Sequence, residues 1–193
     1  MNAIYLVLDM QNDLVPADGP NGKPPVGEQG PARPIPANTA LALKEARAAG
    51  IAVGFVRVGF SEGYPECPRN SPVFSGAPKA GLFKLGGFGT EIHLDLEQKS
   101  GDVQVGKHRG RAFYSTTLEA QLRAQRIERI YCSGVSTQAV VQATVRDAHD
   151  RDYEVVLIED ACAAHSADEH RNSVQSLSRF CTATTAGEVE FTR

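Results

Sequence analysis

The sequence predicts an α/β fold: a three-layer sandwich whose mainly parallel sheet, of about six strands, carries helices on both faces. Three observations lead there. Apolar runs of strand length alternate along the chain with stretches of helical periodicity. The runs, "AIYLVL" and "YEVVLI" among them, are continuous rather than alternating, as in strands covered on both faces. The connections have the size of right-handed helical crossovers, which return the chain to a parallel neighbour. At 193 residues, 41% hydrophobic and 22% charged, the chain reads as one domain over 1–193 with a sizeable core.

Each element follows from local signals. "AIYLVLD" (3–9) is the first strand and ends in Asp9. Residues 11–37 are rich in Pro and Gly and too long for a simple connection, which marks a candidate functional loop. Asn38 is placed to cap the helix "TALALKEARAAG", which Gly50 stops. "IAVGFVRV" (51–58) is the second strand, followed by a Gly- and Pro-rich excursion over 59–90. "DVQVGK" (102–107) is a short third strand. "STTLEAQLRAQR" (115–126) is a helix in which Thr116 and Glu119 have capping-box spacing. "RIYCSG" (129–134) is the fourth strand; the helix over 137–150 carries Ala139, Ala143 and Ala148 for close packing on the sheet. "YEVVLIED" (153–160) is the fifth strand, "SADEHRNSVQSLSRF" (166–180) a helix and "CTATT" (181–185) a short last strand.

Composition excludes several classes. A net charge of −3 supplies no basic stripe for nucleic acid and no cationic face for a membrane. No apolar run approaches the roughly 20 residues that span a bilayer. "MNAIYLVLDMQ" enters a strand at once, without the basic start and small-residue cleavage site of a signal peptide, which points to the cytoplasm. The four cysteines (67, 132, 162, 181) have no ligand spacing and read as free thiols, three of them in core segments. His93, His108, His149, His165 and His170 show neither HxH nor HExxH, so no metal is expected. GxGxxG, GxxxxGK[ST] and GxSxG are absent, and no cofactor is implied.

In parallel sheets ligands bind beyond the carboxyl ends of the strands. Three segments end there with informative residues: Asp9, Lys107 and the turn at Gly134. Asp9 is either a cap at a strand exit or a general acid or base whose pKa partial burial raises. Lys107, beside Arg109 and Arg111, is either solvated or a holder of an anionic substrate. Phe60, Phe83 and Phe113 lie in or beside the long excursions, as pocket walls or as loop anchors. "KLGGFGTEI" (84–92) reads as a loop entering a short helix that closes over the site.

Taken together, "YLVLDMQNDLV", "VGKHRGRAFYSTTLEAQL" and "IYCSGVSTQAVVQATVRDAHDRDYEVVLIEDACAA" resemble the isochorismatase-like (cysteine hydrolase) superfamily, in family order and over essentially the whole chain. The resemblance implies Asp9 and Lys107 as catalytic residues and a cis peptide between Val135 and Ser136. An oxyanion-binding turn of Val135, Ser136 and Ala139 is implied too, with Gln11, Arg109, Arg111, Phe113 and Gln138 on the substrate side. The family's cysteine nucleophile falls on Val140, with the register held by "GVST" before and "TVRDA" after. Cys132 lies within the preceding strand and is read as core.

A valine cannot attack a carbonyl, so the thioester route of the amidase members is closed. Isochorismatases proper also lack the nucleophile and hydrolyse a vinyl ether, which needs only a placed acid and water. Asp9 would be that acid, with Lys107 and Arg109 or Arg111 on the substrate carboxylates. Lys107 beside Asp9 lowers the acid's pKa, an effect that bound carboxylates partly cancel. "GVSTQ" differs from the "GVYAH" of siderophore-type enzymes, and Gln138 replaces an acidic residue common in the amidase-like branches. "VRVGFSEGYPECP" lacks the metal ligands of nicotinamidases. The reading is a hydrolase of a small carboxylated molecule, with a retired family member that only binds a small acid, or serves an interaction role, as the alternative. Relatives are often oligomers, so a homodimer or larger assembly is implied.

Overall fold

The computed structural model describes residues 2–15 and 34–193; most of the expected functional loop, 16–33, lies outside the described residues. Eleven elements follow one another: β1 (Asn2–Leu8), α1 (Ile35–Ala48), β2 (Ala52–Val58), α2 (Ala77–Ala80), β3 (Val103–Lys107), α3 (Leu118–Ala124), β4 (Ile127–Val135), α4 (Gln142–His149), β5 (Glu154–Ala163), α5 (Ala167–Leu177) and β6 (Thr182–Thr184). The sheet has six strands in the order β3-β2-β1-β4-β5-β6, every neighbouring pair parallel. The chain winds outwards from β1 to one edge, returns to β4 beside β1, and winds outwards again. The reversal lies between β1 and β4, which stay paired to Leu8 and Gly134; beyond their carboxyl ends the connections leave in opposite directions, the place where such sheets form a ligand-binding crevice.

The continuous apolar strands behave as their pattern demands. Alternate side chains of β1 divide between two cores: Tyr5 and Val7 join Phe55, Leu43 and Ala46 under α1. Ile4, Leu6 and Leu8 join Val105, Leu122, Val145 and Leu177 on the face covered by α3, α4 and α5. Residues after β6 turn back across the α1 face. Phe191 packs on Tyr131 at 4.6 Å and Tyr5 at 5.8 Å between ring centroids, and the Tyr131 hydroxyl donates to the Glu190 carbonyl.

Three local expectations are corrected and a fourth, the short helix within 84–92, is sharpened. Asn38 does not cap α1; the helix opens at Ile35, with Pro36 in the first turn where a missing N–H costs nothing, and Asn38 instead donates to the Asp160 carbonyl. Thr116 and Glu119 form no capping box, because the Thr116 hydroxyl donates to the Ala112 carbonyl and Glu119 pairs with Arg151 and Arg123. β5 runs on to Ala163, since a register shift opposite Cys132–Gly134 lets pairing resume at Gly134↔Cys162. Residues 84–92 form a single 3₁₀ turn, Phe88–Thr90, pinned to the chain after β1: Asn12 donates to the Phe88 carbonyl, and Asp13 accepts from the Phe83 N–H.

Candidate active site

Two strand ends and a turn build the site. β1 stops at Leu8 because Asp9 takes φ 54°, which swings its carboxyl across the ends of β2 and β3 while its N–H still donates to the Val56 carbonyl. At the end of β3, Lys107 Nζ donates to Asp9 Oδ2 at 2.7 Å and to the Arg109 carbonyl at 3.0 Å. Both side chains are buried, Lys107 at 0% and Asp9 at 2% exposure. Asp9 Oδ1 is also buried and has no hydrogen-bond partner among the described residues. Burial pushes the Asp9 carboxyl above the ordinary carboxylate range; Lys107, by charge and by hydrogen bond, pulls it back only in part. The two opposing influences on Asp9 thus leave its carboxyl on the raised side of the ordinary value.

The turn lies on the other side of the crevice. Gly134, at φ 139°, sits so close to β1 that a Cβ there would lie 2.0 Å from the Leu8 carbonyl oxygen, so no other residue fits. The Val135–Ser136 peptide that follows is cis, as the family resemblance implies. The chain then makes one π turn, Thr137–Val141, that runs into α4. Three N–H groups converge on the Ser136 carbonyl: Ala139 at 3.3 Å, Val140 at 2.9 Å and Val141 at 3.1 Å. The Ala139 amide expected to face an anionic oxygen is thus engaged within the turn. Thr137 and Gln138 supply the first-turn N–H groups that lack an intrahelical acceptor. Val140 is half-buried against the α4-side core, and Ala139 is exposed.

A parallel sheet with this order, a buried acid–lysine pair at its reversal and a cis turn opposite is a specific combination. The family model for the isochorismatase domain matches residues 3–188. The chain belongs to the isochorismatase family. It is 34% identical over 173 residues to the isochorismatase family protein YecD of Escherichia coli O157:H7, covering 89% of this chain and 85% of that protein. It is 32% identical over 161 residues to the ureidoacrylate amidohydrolase RutB of Acinetobacter baylyi, covering 77% and 66%. Among solved structures, the N-carbamoylsarcosine amidase of Thermoplasma acidophilum superposes with a TM-score of 0.79 at 25% identity, over 99% of this chain and 100% of that one. An isochorismatase family protein of Desulfovibrio vulgaris shares the fold at TM-score 0.85 and 24% identity, over 96% and 95%.

Within this isochorismatase-family domain the other expected residues are scattered. Gln11 is fully buried, and both ends of its amide are taken by Val58: Nε2 donates to the carbonyl at 3.0 Å and Oε1 accepts from the N–H at 2.9 Å. It extends the pairing of β2, and with Nε2 also 3.4 Å from the Gly89 carbonyl both amide hydrogens are engaged within the protein. Phe113 also points into the core, 5% exposed, stacked on Tyr153 with Arg151 over its ring. Phe60 and Phe83 anchor the excursion as a small core with Val58, Cys67 and Phe74. Arg111, Gln138 and Ala139 line one cavity of about 400 Å³ along α4, beside Arg146. Arg109 lines another of about 390 Å³ with Glu66, His108 and Tyr114, its guanidinium held by the Glu66 and His108 carbonyls. Asp9 and Lys107 line neither.

One group near the turn escaped the sequence reading. Thr137 Oγ1 lies 2.9 Å from His170 Nδ1, and His170 Nε2 lies 2.9 Å from Glu159 Oε2. The available signal was the position of His170 on the inner face of α5, in line with Ser173 and Leu177, where a polar ring must find partners.

Proposed function

We propose that this isochorismatase-family hydrolase acts on a small carboxylated molecule through acid catalysis by Asp9, with no cysteine nucleophile because Val140 stands in its place. The observation that carries the reading is the buried Lys107–Asp9 pair, in which one carboxylate oxygen is bonded and the other is unpartnered. Burial keeps that carboxyl protonated to higher pH than an ordinary aspartate, as an acid working near neutrality requires. The reaction it suits is vinyl ether hydrolysis. Oδ1 delivers its proton to the enol carbon, and the electron pair of the C=C bond forms the new C–H bond. Water adds to the resulting oxocarbenium ion and gives its proton back to Asp9. The hemiketal then collapses to a ketone and an alcohol. Arg111, whose side chain makes no hydrogen bond among the described residues, is the cation for a substrate carboxylate.

The relatives support the substrate class, since isochorismate, ureidoacrylate and N-carbamoylsarcosine are all small carboxylates. No helix among the described residues is long and apolar enough to cross a membrane. Cytoplasmic action on a small molecule rather than on nucleic acid, without a metal or cofactor, belongs to the same reading. So does a homo-oligomer, supported by exposed Phe88 and Leu94 in one segment.

The test is turnover of isochorismate, other enol ethers and small amides, followed as a pH–rate profile for the native protein and Asp9→Asn. The acid must be protonated, so enol ether turnover falls as pH rises through the raised Asp9 pKa, and Asp9→Asn abolishes it. Amide turnover that survives Asp9→Asn would overturn the mechanism. Silence towards every substrate, with a small acid still raising the melting temperature, identifies a binder in place of an enzyme.

A further inference from the structure

We infer that Glu159, His170 and Thr137 form a relay that fixes the cis turn, and that Thr137 is a positioning residue for the amides of that turn. Three separate elements supply it: Glu159 from β5, His170 from α5 and Thr137 from the π turn. Thr137 is fully buried and His170 is 2% exposed, so the Thr137 bond is shielded from water, while Glu159, 27% exposed, closes the outer end of the chain; each bond is 2.9 Å. A carboxylate only accepts, so the Glu159 bond holds a hydrogen on His170 Nε2. A neutral ring then accepts the Thr137 O–H at Nδ1 and a charged ring donates to Oγ1, and either bond holds the threonine rotamer.

This bond bears on the site through its place in the chain. Thr137 directly follows Ser136, the residue whose carbonyl gathers the N–H groups of Ala139, Val140 and Val141. Fixing the Thr137 rotamer therefore fixes the peptide planes on either side of it, at the point where β4 turns into the helix. Fully buried and with its hydroxyl bonded to His170, Thr137 acts through the turn rather than by attack on a substrate. The relay also couples β5 and α5 to the crevice, although neither contributes a residue to the Lys107–Asp9 pair.

The catalytic consequence rests on the hydrolase reading; the effect on the turn does not. Four variants separate the bonds. Thr137→Val removes the hydroxyl at constant shape, and His170→Gln retains the Glu159 bond but loses Thr137. Thr137→Ser and His170→Asn retain the Thr137 bond. Two measurements are made on each: the backbone amide resonances of residues 136–140, and kcat and KM for whichever substrate the native protein turns over. Thr137→Val and His170→Gln are expected to shift those resonances and to lower kcat by about 10- to 100-fold with KM little changed. Thr137→Ser is expected to match the native protein in both, and His170→Asn, which keeps the Thr137 bond but loses Glu159, to fall between the native protein and Thr137→Val. Native resonances and native kcat in Thr137→Val overturn the relay; if that variant does not fold, the same outcome in His170→Gln does. A native protein that turns over nothing refutes the hydrolase reading alone, and the resonances then decide the relay, unchanged positions in Thr137→Val overturning it.

Discussion

Lys107→Met leaves the Asp9 carboxylate buried at the carboxyl end of the sheet with neither oxygen paired to a side chain. Removing one partner of a buried ion pair costs about 3–5 kcal/mol, because the other charge stays uncompensated. That cost depends on pH, and its sign follows from the groups involved. Burial already raises the Asp9 pKa, and both effects of Lys107 lower it, so the variant's carboxyl titrates higher than the native one. Between the two folded pKa values the variant carries an extra proton, and its stability relative to the native protein falls as pH rises through that window. At low pH, where the carboxyl is neutral in both proteins, the loss shrinks to the roughly 1–3 kcal/mol of an unsatisfied polar group. Urea titrations at a series of pH values from 4 to 9 read the difference directly. At about 2–4 °C per kcal/mol for a domain of this size, the melting temperature at pH 8 drops by roughly 6–20 °C. The double variant Asp9→Asn/Lys107→Gln, a pair of neutral amides that can still hydrogen-bond, recovers most of the loss. An equal loss at every pH across that series would refute the reasoning, since it would mean that no charge is stranded.

Three further outcomes are expected. Val140→Cys exchanges side chains of similar volume at a half-buried position, costs less than about 1.5 kcal/mol, and is alkylated faster than the native protein, in which burial pushes the Cys132 thiol well up; mass spectrometry after iodoacetamide reads the site. Gly134→Ala drives a methyl into the Leu8 carbonyl at a positive φ and removes more than about 4 kcal/mol or prevents folding, as soluble yield and thermal melting show. Phe191→Ala strips the ring that lies against Tyr131 and Tyr5 and lowers stability by about 2 kcal/mol, measured by chemical denaturation, with Lys107 and Asp9 untouched.

Most of the fold is legible because the strands are buried on both faces and so appear as apolar runs with clear ends. Asp9 and Lys107 were readable as charged residues terminating such runs. Helix starts were not, since Asn38 and Thr116 had the chemistry of caps while the chain supplied Pro36 and the Ala112 carbonyl as stronger local choices. The ligand-side residues misled for a related reason. Gln11 and Phe113 look like contacts in sequence, yet a buried amide is claimed by the nearest open backbone, here Val58, and a ring by the nearest apolar neighbour, here Tyr153. The Thr137–His170–Glu159 relay joins residues 33 and 11 positions apart in sequence, and no local pattern reports such a bond.

The contact between Gly134 and the Leu8 carbonyl has a bearing on how such a protein changes over time. It welds the segment that presents the acid to the segment that presents the turn, so the two cannot drift apart when a side chain between them is exchanged. Position 140 hangs from that weld without taking part in it: its side chain can be thiol or hydrocarbon while the frame keeps its shape. Under the proposal that position 140 is the nucleophile position, a single substitution there exchanges one chemistry for another while the frame stays in place. Ancestral reconstruction across position 140 would show whether lineages have crossed in both directions.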